Sequence, residues 1–493
     1  IRIGFRTFDI DAEKGFILNG HPYQLIGTAR HQDWENLGNA LSEENHRIDM
    51  QILKEMGANT IRGAHYQHDQ MWYDLADENG LIMWAEIPYI SSHMDNEAAN
   101  QNTQDQMREL IIQNYNHPSI CVWGLSNEIT IGGETENLYE NHRKLNDLAH
   151  ELDPTRKTVM AHVSMTPTNS PLVSLPDASS YNHYFGWYMG KLEDNAKWFD
   201  DFHAKYPNIP IGISEFGADA NPLYHSEKPG RGDYTEDYQA LYHETILQMV
   251  AARPWMWATH VWNGFDFAAD ARDEGGVPGR NQKGLVTFDR KTKKDAYYIY
   301  KAYLSKEPFV YLTKKRYVDR EEPVTEVKVY TNEPEVTLIV DGNVLETKPA
   351  ADHMVKFNVE ISGEHHIKAV GSNENITDEM DIRKVAEKNE AYIVKGGSVH
   401  NWFAGGVEKD GYLSIMDSFS DVFAVPEAVA ILQPVLEGMK DLLGKREEGE
   451  ESADMAQMMM SFPVETALRM SSALSKEEII ALNEKLNQIP RKD

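Results

Sequence analysis

An α/β chain is predicted, with a (β/α)8 TIM barrel, then a small immunoglobulin-like β-sandwich, then a C-terminal helical bundle. Three observations predict it. Short apolar runs alternate with amphipathic helical segments about every 30 residues over roughly the first three hundred positions, as a closed parallel barrel requires. From Pro308 the apolar period changes to two, the mark of half-buried antiparallel strands. From Ala386 the helical period returns. A length of 493 residues accommodates about three domains of ordinary size.

The expected boundaries are 1–10, 11–305, 306–385 and 386–493. The first segment is set apart because residues 1–6 read as a strand with no partner nearby. They have no initiator methionine and no signal-peptide pattern, so residue 1 is read as a cut inside a longer protein. The eight barrel strands are expected at 23–27, 58–62, 81–87, 120–125, 158–162, 179–184, 209–215 and 258–263, most of them rich in Val, Ile and aromatic residues. The first helix should open at Ser42, pack Ile48, Met50, Ile52, Leu53 and Met56 inward, and stop at Gly57 in a left-handed cap. A doubly wound open sheet would show a Gly-rich first turn, and no G-x-G-x-x-G follows a strand.

In the sandwich segment, runs beginning at Val324, Val336, Val355 and His366 alternate apolar and polar residues, and Asp341-Gly342 makes a tight hairpin turn. In the last segment, Pro426 starts a helix with Ala428, Val429, Ile431, Leu432 and Val435 inward. The acidic run 446–451 reads as a solvated connection, and Met455, Met458, Met459 and Met460 as a packed helix face.

Composition narrows the function. With 48 Lys and Arg against 78 Asp and Glu, the net charge is -30, which opposes binding to nucleic acid or anionic membranes. No apolar run is long enough to span a membrane. The single cysteine, Cys121, excludes an intrachain disulfide and a Cys-rich zinc site, and mid-strand it reads as a buried apolar residue. A cytoplasmic setting is expected, although targeting signals are not legible in a chain cut at its start. All but Trp402 of the 10 tryptophans lie between Trp34 and Trp262.

Barrel active sites sit at the C-terminal ends of the strands. Those ends carry Arg30, His31 and Asp33, then Arg62, His65 and Tyr66, then Glu86, then Asn127 and Glu128. Further on come His183 and Tyr184, Glu215, and finally Trp262, Asn263 and Asp266. Glu128 and Glu215 end strands four and seven, nearly opposite in a ring of eight. A carboxyl pair across a pocket is what glycoside hydrolysis needs. One carboxyl protonates the leaving oxygen and the other attacks or stabilises the anomeric carbon. Glu215 shares its strand face with Ile211 and Ile213, which aims it into the barrel mouth. Asn127 supplies an amide for a sugar hydroxyl, Tyr184 a phenol to orient Glu215, and Trp262 and Trp187 flat faces for a pyranose ring. Glu86 is expected to pair with Arg62 or His65. The histidines lack a His-x-x-x-His pattern, which speaks against a metal site.

These residues also carry a family resemblance. The blocks around Gly27, His31 and Asp33, around Arg62, His65 and Tyr66, around Trp84, Glu86 and Pro88, and at Ser126-Asn127-Glu128 resemble successive blocks of family 2 glycoside hydrolases, the β-galactosidase and β-glucuronidase group. So do Asn182 to Tyr188, Ser214-Glu215-Phe216-Gly217 and Gly284 to Arg290. Residues 1–6 resemble the last strand of the immunoglobulin-like domain that precedes the barrel in that family.

The resemblance implies a retaining mechanism with Glu128 as general acid/base and Glu215 as nucleophile. It implies that Tyr184 orients Glu215, that Asn127 binds the 2-hydroxyl, that Trp262 lines the sugar site, and that Arg62, His65 and His31 shape the pocket floor. The Glu-x-His metal pair of magnesium-dependent members is missing after Glu86, so no catalytic metal and no other cofactor is expected. The expected substrate is a small or oligosaccharide β-galactoside. A β-glucuronide is the alternative, because Asn281 and Lys283 resemble the Asn-x-Lys pair that grips a uronate. A non-catalytic sugar-binding scaffold is the second alternative, and homo-oligomerisation is left open.

Overall fold

Three short strands, β1 (Phe8–Asp11), β2 (Gly15–Leu18) and β3 (His21–Pro22), form an antiparallel sheet ahead of the barrel. The computed structural model describes residues 3–188, 190–270, 272, 274–394, 411–415, 417–433, 464, 468 and 476–491. Residues 3–7 lie in no strand, and residues 1 and 2 of the strand expected at the start lie outside the described residues. Arg6 instead donates to the backbone oxygens of Pro118 and Ile120, each at 3.0 Å.

The barrel strands are β4 (Ile26–Arg30), β5 (Thr60–Gly63), β6 (Ile82–Glu86), β7 (Ile120–Asn127), β8 (Lys157–Val163), β9 (Ala178–Asn182), β10 (Ile211–Glu215) and β11 (Thr259–Val261). Each pairs in parallel with the next, and β11 pairs with β4 through Thr259 and Ile26 to close the ring. Every residue of β7 is buried, because a closed sheet ringed by helices leaves neither face wet. The first strand begins three residues later than the apolar run suggested. Gly27 is required by the close neighbouring strand: a Cβ there would lie 1.8 Å from the Thr60 oxygen.

The helices between and after the strands are α1 (Glu43–Met56), α2 (Gln70–Asn79), α3 (Glu97–Asn114), α4 (Glu136–Leu152), α5 (Asp194–Lys205), α6 (Glu236–Ala251) and α7 (Asp295–Leu304). Ser42 caps α1 in a reciprocal box with Asn45, and Gly57 ends it at φ 91°. Met50, Ile52, Leu53 and Met56 are buried as expected, whereas Ile48 is only half-buried. Two short strands, β12 (Phe267–Ala268) and β13 (Arg280–Asn281), follow β11.

The sandwich pairs β14 (Val310–Leu312) with β16 (Val324–Thr331) and β19 (Met354–Glu360) in one sheet. The other holds β15 (Asp319–Arg320), β17 (Glu335–Val340), β18 (Asn343–Pro349), β20 (Glu364–Gly371) and β21 (Thr377–Lys384). Inward residues of both sheets, among them Val329, Leu338, Phe357 and Ile367, make its core. Asp341 and Gly342 both take positive φ, 51° and 79°, which the β17–β18 hairpin demands. Barrel and sandwich form one compact unit. Arg316 grips Glu236 of α6, and Lys328 donates to Glu244 of the same helix at 2.8 Å.

The described residues from 411 onward belong to a second compact unit, together with 131–133 and 269–280. Its helices include α8 (Phe419–Phe423), a segment at 426–433 that starts at Pro426, and Lys476–Leu486. Leu413, Phe419, Val422, Ala428, Leu432, Leu468 and Leu486 form its core. The acidic run 446–451, the methionines from Met455 to Met460, Val435 and Trp402 lie outside the described residues.

Candidate active site

Because all eight strands run the same way, their C-terminal ends gather at one mouth. Glu215, the last residue of β10, is buried, and both its oxygens are held. Oε1 accepts from Arg62 Nη1 at 2.8 Å, and Oε2 accepts from the Tyr184 hydroxyl at 2.8 Å. Nε2 of His65 lies 3.6 Å from Oε1.

Arg62, fully buried on β5, organises the floor. It donates from Nε and Nη2 to the two oxygens of Glu86, each at 3.1 Å, and from Nη2 to Asn127 Oδ1 at 2.8 Å. The Trp84 ring lies 4.8 Å from its guanidinium carbon. Burial works against this charge, but Glu86 and Glu215 outweigh it and raise the Arg62 pKa. Burial likewise opposes ionisation of Glu86, yet Arg62 and a 2.9 Å bond to His65 Nδ1 hold it below the ordinary carboxylate range. Glu86 is thus the partner of both Arg62 and His65.

Glu128 follows β7 at φ 50°, a backbone conformation that side chains other than glycine rarely adopt. Its amide donates to the Ala161 oxygen at 2.8 Å. Burial, then the charge of Glu215, raise Glu128 to about 7, against opposing pulls from Asn182 and Arg62. Asn127 beside it has its carbonyl oxygen occupied by Arg62 and by Asn182 Nδ2 at 3.0 Å. That fixes the flip of the amide and leaves its NH2 group as the donating end. The pair can therefore supply a proton and a hydrogen-bond donor on one side of the pocket and a fixed carboxylate on the other.

Aromatic rings wall the site. Trp262, just past β11, stacks on His65 at 4.9 Å and meets His31 edge-on at 5.2 Å. Gly217 lets the exit of β10 pass this tryptophan: a Cβ there would lie 2.3 Å from the Trp262 oxygen. His31 Nδ1 pairs with the Tyr66 hydroxyl at 3.2 Å, and burial, then His65, hold its pKa well below the usual histidine value. The loop carrying His31 and Asp33 is anchored from below. Asp49 on α1 accepts from Arg30 at 3.0 Å and from Arg290 at 2.9 Å, and Arg290 also donates to the backbone oxygen of Asp33.

Trp187 packs edge-on against Tyr234 at 5.3 Å, is about as buried as Trp262, and has its ring 5.9 Å from Lys283 Nζ. The next residue, Tyr188, which sequence reasoning passed over, accepts from Lys283 Nζ at 2.6 Å and lies 5.1 Å from the Tyr184 ring. Lys283 is fully buried and also bonds Asp219, four residues beyond Glu215. Asn281 Oδ1 accepts from the Lys283 amide at 3.1 Å. Lys283 thus stands one aromatic ring away from Glu215, with Nζ 5.9 Å from the Tyr184 centroid. The spacing of Tyr188 four residues after Tyr184 was the available signal. Among the described residues, the group close enough to share a metal ion is Asp74, Asp77 and His117. It lies on α2 and just before β7, at the other end of the strands from Glu128.

The model of the TIM barrel domain of family 2 glycosyl hydrolases matches residues 9–307. The chain belongs to glycoside hydrolase family 2. Among its family 2 relatives, a β-glucuronidase of Bacteroides fragilis is 40% identical over 398 residues, covering 77% of this chain and 56% of that protein. The chain therefore spans little more than half the length of this curated relative. Among solved structures, an FMN-binding β-glucuronidase from Faecalibacterium prausnitzii L2-6 is 49% identical with a TM-score of 0.78, over 80% of this chain and 61% of that one. A Bacteroides uniformis β-glucuronidase bound covalently to a carboxylate-bearing cyclophellitol aziridine is 33% identical with a TM-score of 0.73, over 78% and 48%. A B. fragilis structure described provisionally as a β-galactosidase is 40% identical with a TM-score of 0.75, over 79% and 59%. Three of these four relatives carry the glucuronidase name.

Proposed function

We propose that this chain is the catalytic part of a retaining β-glucuronidase. The observation that carries the sugar choice is Lys283, whose buried ammonium is bonded to Tyr188 and lies one ring from Glu215, with Asn281 two residues before it. That ammonium also pairs with the buried carboxylate of Asp219. A uronate carboxylate gains a cation here that a neutral galactoside would not engage, in a chain whose net charge of -30 otherwise repels it. Lys283 is fully covered, so a carboxylate meets it through the Tyr188 phenol or after that ring moves. The glucuronidase names of the relatives support the same reading.

In the proposed reaction Glu128 gives its proton to the glycosidic oxygen as the bond to the anomeric carbon breaks. Glu215 attacks that carbon and forms a glycosyl ester, with Tyr184 and Arg62 fixing its two oxygens. The alcohol leaves. Glu128, now ionised, takes a proton from water, which attacks the same carbon and releases the sugar and Glu215. The NH2 of Asn127 is suited to the 2-hydroxyl, and Trp262 to a ring face of the sugar. These steps exchange no electrons and call on no flavin or metal. FMN belongs to the description of the F. prausnitzii relative. A non-catalytic scaffold would have no need for a carboxyl kept protonated to about 7 opposite a second carboxylate.

The test compares kcat/KM for nitrophenyl glucuronide and nitrophenyl galactoside. Preference for the glucuronide is expected, and preference for the galactoside contradicts the substrate reading. Glu128→Gln and Glu215→Gln should each abolish turnover of the preferred substrate, and full activity in either contradicts the assigned pair.

A further inference from the structure

The Asn281-Gln282-Lys283 segment has little regular structure of its own, since β13 ends at Asn281. What fixes it comes from elsewhere. Lys294, the N-cap residue of α7, is fully buried, and its ammonium makes three bonds, each 2.8 Å long. The acceptors are the oxygen of Ala220, the oxygen of Gln282, and Asp266 Oδ1. An ammonium has three N–H donors, so each is used once. Ala220 lies five residues past Glu215, Asp266 lies four past Trp262, and Gln282 is the middle of the segment itself.

Other bonds complete the clip. The Gln282 oxygen also accepts from the Ala220 amide at 3.0 Å, and the Gln282 amide donates to Asp219 Oδ1 at 2.9 Å. Gln239 Nε2 donates to the Ala218 oxygen at 3.0 Å and to the Gly284 oxygen at 3.2 Å. The backbone of Lys294 donates to the Leu285 oxygen at 2.9 Å. Lys294 is thus the point where the exit of β10, the exit of β11 and the 281–283 segment meet.

We propose that Lys294 is a positioning residue that sets sugar specificity by holding Asn281 and Lys283 in register with Glu215, an inference that rests on the glucuronidase reading. The three bonds of the Lys294 ammonium reach neither Glu128 nor Glu215. It acts through Gln282, whose neighbours on either side carry the two polar groups proposed for the uronate. Without the ammonium, two carbonyl oxygens and a carboxylate lose a shared buried donor, and the segment shifts to satisfy them.

A double-mutant cycle on the full chain tests this. Wild type, Lys294→Gln, Lys283→Met and the double variant are compared for kcat and KM on nitrophenyl glucuronide, with melting temperature as a fold check. Where turnover is too slow, the Kd of a glucuronate lactone supplies the same cycle. Lys294→Gln is expected to raise KM on the order of tenfold or more, with kcat changed less. The double variant is expected to fall within about twofold of Lys283→Met, because both changes remove the same interaction. Losses that multiply in the double variant, or a loss in kcat alone, overturn the proposal. Should Lys294→Gln fail to fold, Asp266→Asn takes its place, keeping the ammonium but removing its charged partner. The same direction and the same coupling are expected, and additivity overturns the proposal. A wild type that prefers the galactoside brings down the glucuronide reading alone. The cycle is then run on the galactoside, where coupling to Lys283 or its absence decides the role of Lys294.

Discussion

The Tyr184 hydroxyl donates to Glu215 Oε2 at 2.8 Å, while the other oxygen of the same carboxylate is held by Arg62. A carboxylate tethered at both oxygens has one orientation, and a nucleophile gains from that because its attack geometry is set before substrate arrives. The two tethers differ in kind. The phenol is a neutral donor that burial, then Glu215, keep protonated far above its usual range. The guanidinium carries charge.

Tyr184→Phe separates the two. It removes one tether and leaves Arg62 in place. Turnover of a nitrophenyl glycoside is expected to fall on the order of a hundredfold, with stability changed by roughly 1 kcal/mol in denaturant unfolding. Unchanged kcat would deny the phenol any role in orienting Glu215.

Arg62→Met is expected to do more damage to the fold than to any one step. It strands Glu86 and Glu215, two buried carboxylates that share this cation. Leaving a buried charge uncompensated costs about 3–5 kcal/mol, which denaturant unfolding would register directly. A loss under about 1 kcal/mol would mean that the floor is not held by this ion network.

The pH profile follows from Glu128. Its role as acid requires the proton, and a pKa raised to about 7 keeps that proton present up to about that pH. The alkaline limb of kcat/KM is therefore expected near 7, with activity falling about tenfold per pH unit above it. Removing the neighbouring charge in Glu215→Gln should move the Glu128 titration downward. Burial is the larger cause and persists, so only part of the shift should disappear. Infrared titration of the carboxyl band would follow both proteins, and an unmoved titration would mean the two groups do not sense each other.

Much of this was legible in the sequence, for physical reasons that can be named. Strands buried on both faces, such as β7, read as unbroken apolar runs, and the sandwich strands as strict alternation. The first barrel strand begins three residues later than its apolar run, because close packing against Thr60 requires a glycine at position 27 and the strand continues through Thr28 and Ala29 without bulky apolar residues. Strand-end position picks out Glu128, Glu215, Asn127, Tyr184 and Arg62 as candidates, and the fold brings Arg62 onto both Glu215 and Asn127, and Tyr184 onto Glu215, since parallel strands deliver their ends to one place. Sequence position assigns Trp187 a sugar contact and gives Tyr188 no role, because spacing does not show which of two adjacent aromatics bonds Lys283; in the fold that is Tyr188. The anchoring pairs were also silent. Asp49 with Arg290, and Lys294 with Gln282, are far apart or embedded in unremarkable sequence, and only the closed fold brings them together.

The most direct test of the central claim is covalent trapping of the nucleophile. The full chain is incubated with 2-deoxy-2-fluoro-glucuronyl fluoride or with the corresponding galactosyl fluoride, and the labelled peptide is identified by mass spectrometry. A retaining β-glucuronidase with Glu215 as nucleophile is expected to carry the glucuronyl adduct on Glu215, formed faster than the galactosyl one. Faster labelling by the galactosyl reagent, or an adduct on any other residue, would contradict the account.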